Sequence, residues 1–185
     1  AVPGAHPPDP EPYRRRLAHL RGIWPGSRAA AGDLLRLSGL DARAYGSTRP
    51  DGESGGRSAR ERKVDRLLGA MDRFLGSGAG FPPPDGLEFV CASKLRRSAL
   101  KGHDPPAHPL FDACERLSRA GTDLVQAFES HLCALKGAFF AFAERELAKR
   151  KRSRNIQFFD DLLVSLRDAV SRSRPSRSRC SRAMR

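Results

Sequence analysis

The side chains of this sequence that can do chemistry are not spaced as the common short catalytic motifs require. The sequence contains no GxxxxGK[ST] phosphate loop, no HExxH and no GxSxG, and none of its four cysteines forms a CxxC pair. Each of these motifs fixes a phosphate, a metal or a nucleophile at a set geometry. We therefore expect neither catalytic residues nor metal ligands nor a cofactor in this chain, and an independent ATPase is strongly disfavoured.

Two pairs of titratable residues are better explained by structural roles than by catalysis or metal binding. Asp160 and Asp161 are adjacent, and neighbouring helical positions point about 100° apart, which suits an acid/base pair poorly. One of them acting as a helix N-cap or first-turn acid is the better interpretation. His103 and His108 flank a proline-containing loop, but nothing supplies further metal ligands, so we interpret both as loop histidines.

Basic residues give the strongest functional signal. With 34 Lys and Arg against 21 Asp and Glu, the chain carries a formal charge of +13, which favours polyanionic partners and nucleic acid first. A first basic cluster consists of Lys94, Arg96, Arg97 and Lys101. A second basic cluster consists of Lys149, Arg150, Lys151, Arg152 and Arg154. Each cluster could contact phosphates or form an ordinary solvated surface. The solvated surface is slightly favoured for the first basic cluster, and the two interpretations are equally good for the second basic cluster.

The C-terminal segment, residues 171–185, carries six arginines and no acid. Without it the chain has 28 basic and 21 acidic residues, or +7. Its Ser/Arg composition predicts a disordered tail that binds RNA or acidic surfaces nonspecifically. An equally good alternative is that the tail has no selected function. In the chain as a whole, the excess of Arg over Lys, 28 against six, is better explained by GC-rich coding than by phosphate recognition, because it is accompanied by so much Ala, Gly and Pro.

The elements that must position these residues are predicted to be mainly α-helical. Residues 1–12 hold five prolines and form a flexible lead. Residues 13–170 form a helical region, in which Pro25-Gly26 divides the span from Tyr13 to Leu40 into two short helices. The Gly, Ser and Asp content of residues 42–59 predicts a long loop.

Periodicity predicts the remaining elements. The face that runs from Val64 to Leu75 indicates a helix over residues 60–75, and residues 87–91 form at most a short strand or dock by their apolar side chains. Ser93 is predicted to cap a helical turn that reaches about Leu100. A helix from Pro109 ends at Gly121. A long C-terminal helix then reaches about Arg152, with apolar residues spaced four, four, three, four and three apart: Leu124, Phe128, Leu132, Leu135, Phe139 and Phe142.

Several segments resemble the RecB family of DNA helicase-nucleases, the beta subunit of exodeoxyribonuclease V. The likeness runs from about Trp24 to Leu166. Its most specific part is Pro105-Pro106-Ala107-His108-Pro109-Leu110-Phe111-Asp112. The other matching segments are Ala92-Ser93-Lys94-Leu95, Lys101-Gly102, Glu146-Leu147-Ala148-Lys149-Arg150-Lys151-Arg152 and Phe159-Asp160-Asp161-Leu162-Leu163.

The resemblance implies an internal fragment that covers the helical accessory subdomain of the first motor domain. For the parent enzyme it implies superfamily 1 DNA unwinding, ATP and Mg²⁺ as cofactors, the gamma and alpha subunits as partners, double-strand-break repair and a bacterial cytoplasmic location. The phosphate loop and the Asp-Glu magnesium motif of the family are absent from this sequence. A truncated gene, a frameshift or a partial sequence explains this, and the fragment itself would contribute DNA-binding and bracing surface.

Two other hypotheses remain open. One is a free-standing basic helical adaptor that docks a partner helix on the Phe-rich face of residues 124–142 and binds RNA through its tail. The other is a nonfunctional remnant whose apolar face lost its neighbour. In all three cases the sequence has no apolar run near the ~20 residues that span a bilayer, so no membrane partner is expected. The cysteine pattern favours a reduced, cytoplasmic setting.

Overall fold

A computed structural model describes residues 7–50, 56–78, 80–154 and 159–172. Within those ranges the fold is mainly α, as predicted. The helices are α1 (Glu11–Leu37), α2 (Ala42–Tyr45), α3 (Ala59–Gly76), α4 (Ala92–Ser98), α5 (Pro109–Ser153) and α6 (Phe159–Arg172), with a 3₁₀ helix at Leu87–Val90. The described residues contain no strand, only two isolated bridges, Leu40 with Ala99 and Pro50 with Ser58.

The chain forms two compact units that divide after Cys133. The first unit contains α1 to α4 and the first part of α5, and its core includes Leu20, Leu35, Tyr45, Val64, Met71, Leu95, Phe111 and Leu117. The second unit contains the remainder of α5 and α6, and the large apolar side chains described in these two helices are exposed. None of the described helices combines the length and the apolar character that crossing a membrane demands.

Helix α1 is a single helix of 27 residues, so the predicted break at Pro25-Gly26 is wrong. Its buried face continues through the proline, from Leu20 and Trp24 to Leu35, and this burial outweighs the one backbone hydrogen bond that Pro25 removes. The helix also begins at Glu11, inside the predicted lead. Pro12 fits the first turn, where no N–H is needed.

The predicted loop over residues 42–59 contains an ordered turn of helix. Helix α2 begins after Asp41, whose side chain accepts a hydrogen bond from the Arg43 N–H. It ends at Gly46, whose φ of +88° suits glycine, and a Cβ there would lie 2.8 Å from the Ala59 carbonyl carbon. Helix α3 then begins with a capping box between Ser58 and Glu61, and it confirms the helix predicted for residues 60–75.

Residues Leu87–Val90 form a 3₁₀ helix rather than a strand. Gly86 is left-handed, and Leu87 and Val90, three residues apart, both turn into the core. The predicted cap at Ser93 is also wrong, because α4 starts at Ala92 and ends at Ser98. Instead, the Ser93 N–H donates to Oε2 of Glu115 at 3.0 Å, so a carboxylate of α5 satisfies this helix start.

Helix α5 runs unbroken for 45 residues, so Gly121 does not end a helix as predicted. Gly121 is buried, and a Cβ at this position would lie 3.2 Å from Pro83 and 3.4 Å from Tyr13. This close packing offsets the roughly 1 kcal/mol that a glycine costs inside a helix. The inward positions predicted from Leu110 to Leu117 are confirmed, as is the end of the long helix near Arg152.

A buried arginine joins the ends of two helices. The Arg60 side chain is 4% exposed. Its guanidinium donates to the carbonyls of Ser38 at 2.6 Å, Leu40 at 2.5 Å and Gly46 at 3.2 Å. Ser38 and Gly46 follow the last residues of α1 and α2, where helix carbonyls lack partners and carry partial negative charge. Burial lowers the pKa of Arg60.

Replacing Arg60 with Met tests this role. We expect Arg60→Met to lower the free energy of unfolding by about 3 kcal/mol, because it keeps the apolar stem but removes the guanidinium donor of three carbonyls, although that of Ser38 keeps the Leu40 N–H at 2.8 Å. The free energy of unfolding of Arg60→Lys should lie between those of the original chain and of Arg60→Met, since one ammonium cannot reproduce the planar guanidinium fork. Arg15→Met, at an exposed position of α1, is the control and should change stability by less than about 0.5 kcal/mol. Urea unfolding followed by circular dichroism measures all three; a cost for Arg60→Met below about 1 kcal/mol would contradict the role.

Candidate nucleic-acid interface

Cations from two helices meet at the ring of Phe89. The Lys63 Nζ lies 3.8 Å from the ring centroid and the Lys94 Nζ lies 5.3 Å from it, both within cation–π range. Tyr45 contacts the same ring edge-on, with centroids 5.7 Å apart. We call Lys63, Arg66, Phe89 and Lys94 the Phe89 patch.

Packing of the first unit positions the Phe89 patch. In α3, Val64 and Leu68 face the core, which leaves Lys63 and Arg66, three residues apart, on the outer side. In the 3₁₀ helix and α4, burial of Val90 and Leu95 turns Phe89 and Lys94 outward. The Tyr45 hydroxyl donates to the Phe89 carbonyl at 2.9 Å, which ties α2 to the segment.

The electrostatics of the Phe89 patch are dominated by positive charge. Partial burial lowers the pKa of Lys63, and the neighbouring Arg66 and Lys94 lower it further, whereas Glu88 acts in the opposite direction. The Lys63 ammonium also donates to the Ala44 carbonyl. An anion that approaches this side would relieve repulsion among the three cations. The geometry therefore suits a phosphate group.

The first basic cluster is divided by the fold. Lys94 is half-buried and joins the Phe89 patch, and Arg97, three residues later, is exposed on the same side of α4. Arg96 is exposed and lies near Glu115. Hydrogen bonds from Ser93 are the main cause of the lowered pKa of the Glu115 carboxyl, and the charges of Arg119 and Arg96 lower it further. Lys101 is exposed in the turn after α4.

The second basic cluster surrounds the end of α5 instead of forming one face. Consecutive helical positions are about 100° apart, so the four cations within α5 point in different directions, and Arg154 lies just beyond the helix. Arg150 pairs with Glu146, with Nε to Oε1 at 3.0 Å, whereas Lys149 and Arg152 are exposed. Cations at this end of a helix are favoured by the dipole without any ligand. Only part of the cluster can contact one nucleic-acid surface at a time.

The Phe159-Asp160-Asp161-Leu162-Leu163 segment begins α6. Phe159, Leu162 and Leu163 are exposed, at 73%, 51% and 49%. The backbone places Asp160 and Asp161 in the first turn of the helix, but their side chains lie outside the described residues. Their interpretation as first-turn acids therefore stays a prediction. Helix α6 also includes Ser171 and Arg172 of the predicted tail, while residues 173–185 lie outside the described ranges.

Two thiols and one histidine of the described residues have structural roles. Burial raises the pKa of Cys91 to about 12, so its thiol is neutral and a poor nucleophile. Cys114 is also buried and its pKa is raised for the same reason. His108 caps α5, because its Nδ1 accepts a hydrogen bond from the Leu110 N–H at 3.1 Å. Among the residues with described positions, no group of three or more His, Cys, Asp or Glu side chains could hold a metal ion.

An open groove of about 600 Å³ lies between the turn at residues 83–88 and α5. Three acidic residues line it, Asp85, Glu88 and Glu129. Carboxylates repel phosphates, so this groove is unsuited to nucleic acid. The Phe89 patch is the better candidate.

Sequence reasoning missed three of the four residues of the Phe89 patch. Lys63 and Arg66 are separated from Lys94 by about 30 positions, and the basic residues around them are interspersed with the acids Glu61 and Asp65. Phe89 carries no charge and reads as an ordinary apolar residue. The only local signal was the spacing of Lys63 and Arg66 on the polar side of a predicted helix, and such spacing is common on solvated helices.

No family model, curated protein or solved structure matches this chain. The RecB resemblance consequently stays a prediction that rests on the segments quoted above.

The pKa of Lys63 provides a direct measure of the crowded charge. In the free protein we expect it below the ordinary 10.5, because the ammonium is partly desolvated and has Arg66 and Lys94 beside it. Arg66→Gln should raise it part of the way, whereas Arg15→Gln should leave it unchanged. The ¹³C shift of the lysine side chain against pH gives the value. A Lys63 pKa at or above 10.5 would contradict the described environment.

Proposed function

We propose that this chain binds nucleic acid through a basic surface and performs no catalysis of its own. The observation that carries the proposal is the Phe89 patch, where Lys63 and Lys94 from two helices lie near one aromatic ring and Arg66 lies close enough to lower the pKa of Lys63. Cations packed together at one place indicate an anion-binding surface more specifically than the net charge of the chain does. Arg97 extends the surface along α4. Phosphate contacts of lysine and arginine position a protein on nucleic acid without reading its sequence.

Within this proposal the chain belongs to a larger DNA helicase-nuclease of the RecB type. The described helices would then be the accessory region that braces a motor and offers DNA-binding surface. ATP and Mg²⁺ would be held by the parent enzyme, and the gamma and alpha subunits would be its partners. The support for this part consists of the quoted segments and the mainly helical fold, which such a region requires.

A second candidate is the free-standing basic adaptor. The observation in its favour is the exposed apolar face of α5, which includes Phe128, Leu132 and Phe139 at 43%, 51% and 63%. An adaptor of this kind would use the face for a protein partner and residues 171–185 for RNA. The two candidates therefore place nucleic-acid binding on different parts of the chain.

Salt dependence tests the proposed surface. We expect the full chain to bind a short DNA duplex weakly, with a logarithm of affinity that falls steeply and linearly with the logarithm of salt concentration. In the double variant Arg66→Gln/Lys94→Gln the slope should decrease by about one to two, since each lost phosphate contact removes ~0.9. Arg14→Gln/Arg15→Gln, which removes the same charge from exposed positions of α1, is the matched control and should change the slope by less. Equal slopes for both double variants would overturn the Phe89 patch as the interface.

Deletion of residues 171–185 separates the two candidates. If the Phe89 patch carries binding, the shortened chain still binds DNA at low salt. Its affinity falls only by the amount expected from the loss of six arginine charges. If the adaptor hypothesis holds, nucleic-acid binding is almost abolished. Fluorescence anisotropy with labelled DNA and RNA distinguishes these results. DNA-stimulated ATP hydrolysis by the purified chain would contradict both.

A further inference from the structure

The charges of α3 are segregated by sign around the helix. At about 100° per residue, three of its arginines lie within about 40° of one another, and we call them the arginine row: Arg62, Arg66 and Arg73. The acids of α3 lie together on one flank, centred about 100° from the row: Glu61, Asp65 and Asp72. No acid of α3 therefore lies within the arginine row.

The acids of α3 are held by other groups. Asp65 accepts a hydrogen bond from Arg36 of α1 at 2.8 Å. Asp72 accepts one from Arg28 of α1, also at 2.8 Å. These hydrogen bonds are the main cause of the lowered pKa of each carboxyl. Since Glu61 closes the capping box at the start of α3, the carboxylates of this helix serve its packing and leave the charge of the arginine row in place.

The arginine row is a continuous surface feature. Arg66 and Arg73 are exposed. Arg62 is half-buried and donates to the Arg57 carbonyl at 2.9 Å. Gly69 lies between Arg66 and Arg73, and a Cβ there would lie 3.6 Å from Nη1 of Arg73. The Arg73 guanidinium consequently reaches back toward Arg66, and the row extends over about 17 Å of the helix.

The arginine row joins the Phe89 patch, because Arg66 belongs to both. Lys63 lies about 60° from Arg66 around α3, on the flank opposite the acids of that helix. Beyond Lys63, Asp85 and Glu88 line the acidic groove, and Glu88 is close enough to act on the pKa of Lys63. Carboxylates repel a polyanion that crosses toward the groove, so the favourable direction for it is along α3.

We propose that one strand of a nucleic-acid duplex lies along α3, with its phosphates on the arginine row and the Phe89 patch. This inference rests on the proposed function and adds to it the path and the form of the nucleic acid. A row of about 17 Å faces several phosphates of one strand, since B-DNA carries one per about 3.4 Å of its axis on each strand. The planar fork of arginine matches phosphate geometry.

The composition of this surface favours a duplex over a single strand. Proteins that hold single strands stack the bases on aromatic rings. The arginine row contains no aromatic residue, and the small residues Gly69 and Ala70 follow Arg66 on this side of α3. The Phe89 ring is already contacted by the Lys63 ammonium and by the edge of Tyr45. The surface therefore supplies charge without a stacking platform, which suits a strand whose bases stay paired.

Removal of one charge at the far end of the row tests the path. For a short DNA duplex, Arg73→Gln should decrease the slope of log affinity against log salt by about 0.9, the value for one lost phosphate contact. Arg15→Gln, at an exposed position of α1, removes the same charge and should decrease the slope by less. Equal slopes for these two variants would overturn the path.

The same measurement separates this inference from the proposed function. If Arg66→Gln/Lys94→Gln lowers the slope but Arg73→Gln does not, the Phe89 patch stands and the path along α3 is wrong. If neither variant lowers the slope more than its α1 control, both are wrong.

Insertion of an acid into the row is an independent test. Gly69→Glu should weaken duplex binding at low salt by about tenfold, because it opposes the phosphates, whereas Gly69→Gln should weaken it by less than about threefold. Gly22→Glu is the matched control, since Gly22 is exposed on α1 and a Cβ there would meet nothing within 4 Å. Circular dichroism should show equal helicity for all three variants. Equal weakening by Gly69→Glu and Gly22→Glu would overturn the proposal.

Competition between two forms of DNA tests the assignment to a duplex. Against a labelled duplex, an unlabelled duplex should compete about tenfold more strongly than a single strand of the same length, because its phosphates are more densely and rigidly arranged. Equal or stronger competition by the single strand would show that the assignment to a duplex is wrong.

Discussion

The buried guanidinium of Arg60 is the contact on which the arrangement of the first unit depends. Its three backbone acceptors are the carbonyls of Ser38, which follows α1, of Leu40 in the connection, and of Gly46, which follows α2. Isolated helix ends leave carbonyls without donors, and a buried cation without acceptors would be too costly to retain. The guanidinium supplies donors to the carbonyls, and the carbonyls supply acceptors to the guanidinium, because the arginine fork holds several N–H donors in fixed directions.

The same contact reaches the candidate interface. Once Gly46 is held by Arg60, α2 lies where the Tyr45 hydroxyl can donate to the Phe89 carbonyl and the Ala44 carbonyl can accept from the Lys63 ammonium. These two bonds position the aromatic ring and one of its cations. The basic surface is therefore supported by neutral backbone groups rather than by paired carboxylates. Cations supported in this way remain available to a phosphate, since none of the described residues forms an ion pair with them that must break first.

Helix α5 takes part in two different environments along its length. Up to Leu124 it packs in the core of the first unit, where Phe111 and Leu117 are almost wholly buried. Beyond Leu124 its apolar residues are exposed, although they are as large as those of the core. Burial of such residues is the main favourable term in folding and association. An exposed apolar stripe of this length is typical of an interaction surface.

The sequence by itself determined the helical class, the helix of residues 60–75, the inward face from Leu110 and the end of the long helix, because hydrophobic periodicity over ten or more residues reports a local repeat. It failed where local rules compete with packing. Pro25 and Gly121 are helix breakers in isolation, yet each lies inside a continuous helix whose buried contacts outweigh the local cost. The Phe89 patch and the buried state of Arg60 were decided only by tertiary structure, since they join residues far apart in the chain, and a single sequence carries no record of which distant residues meet.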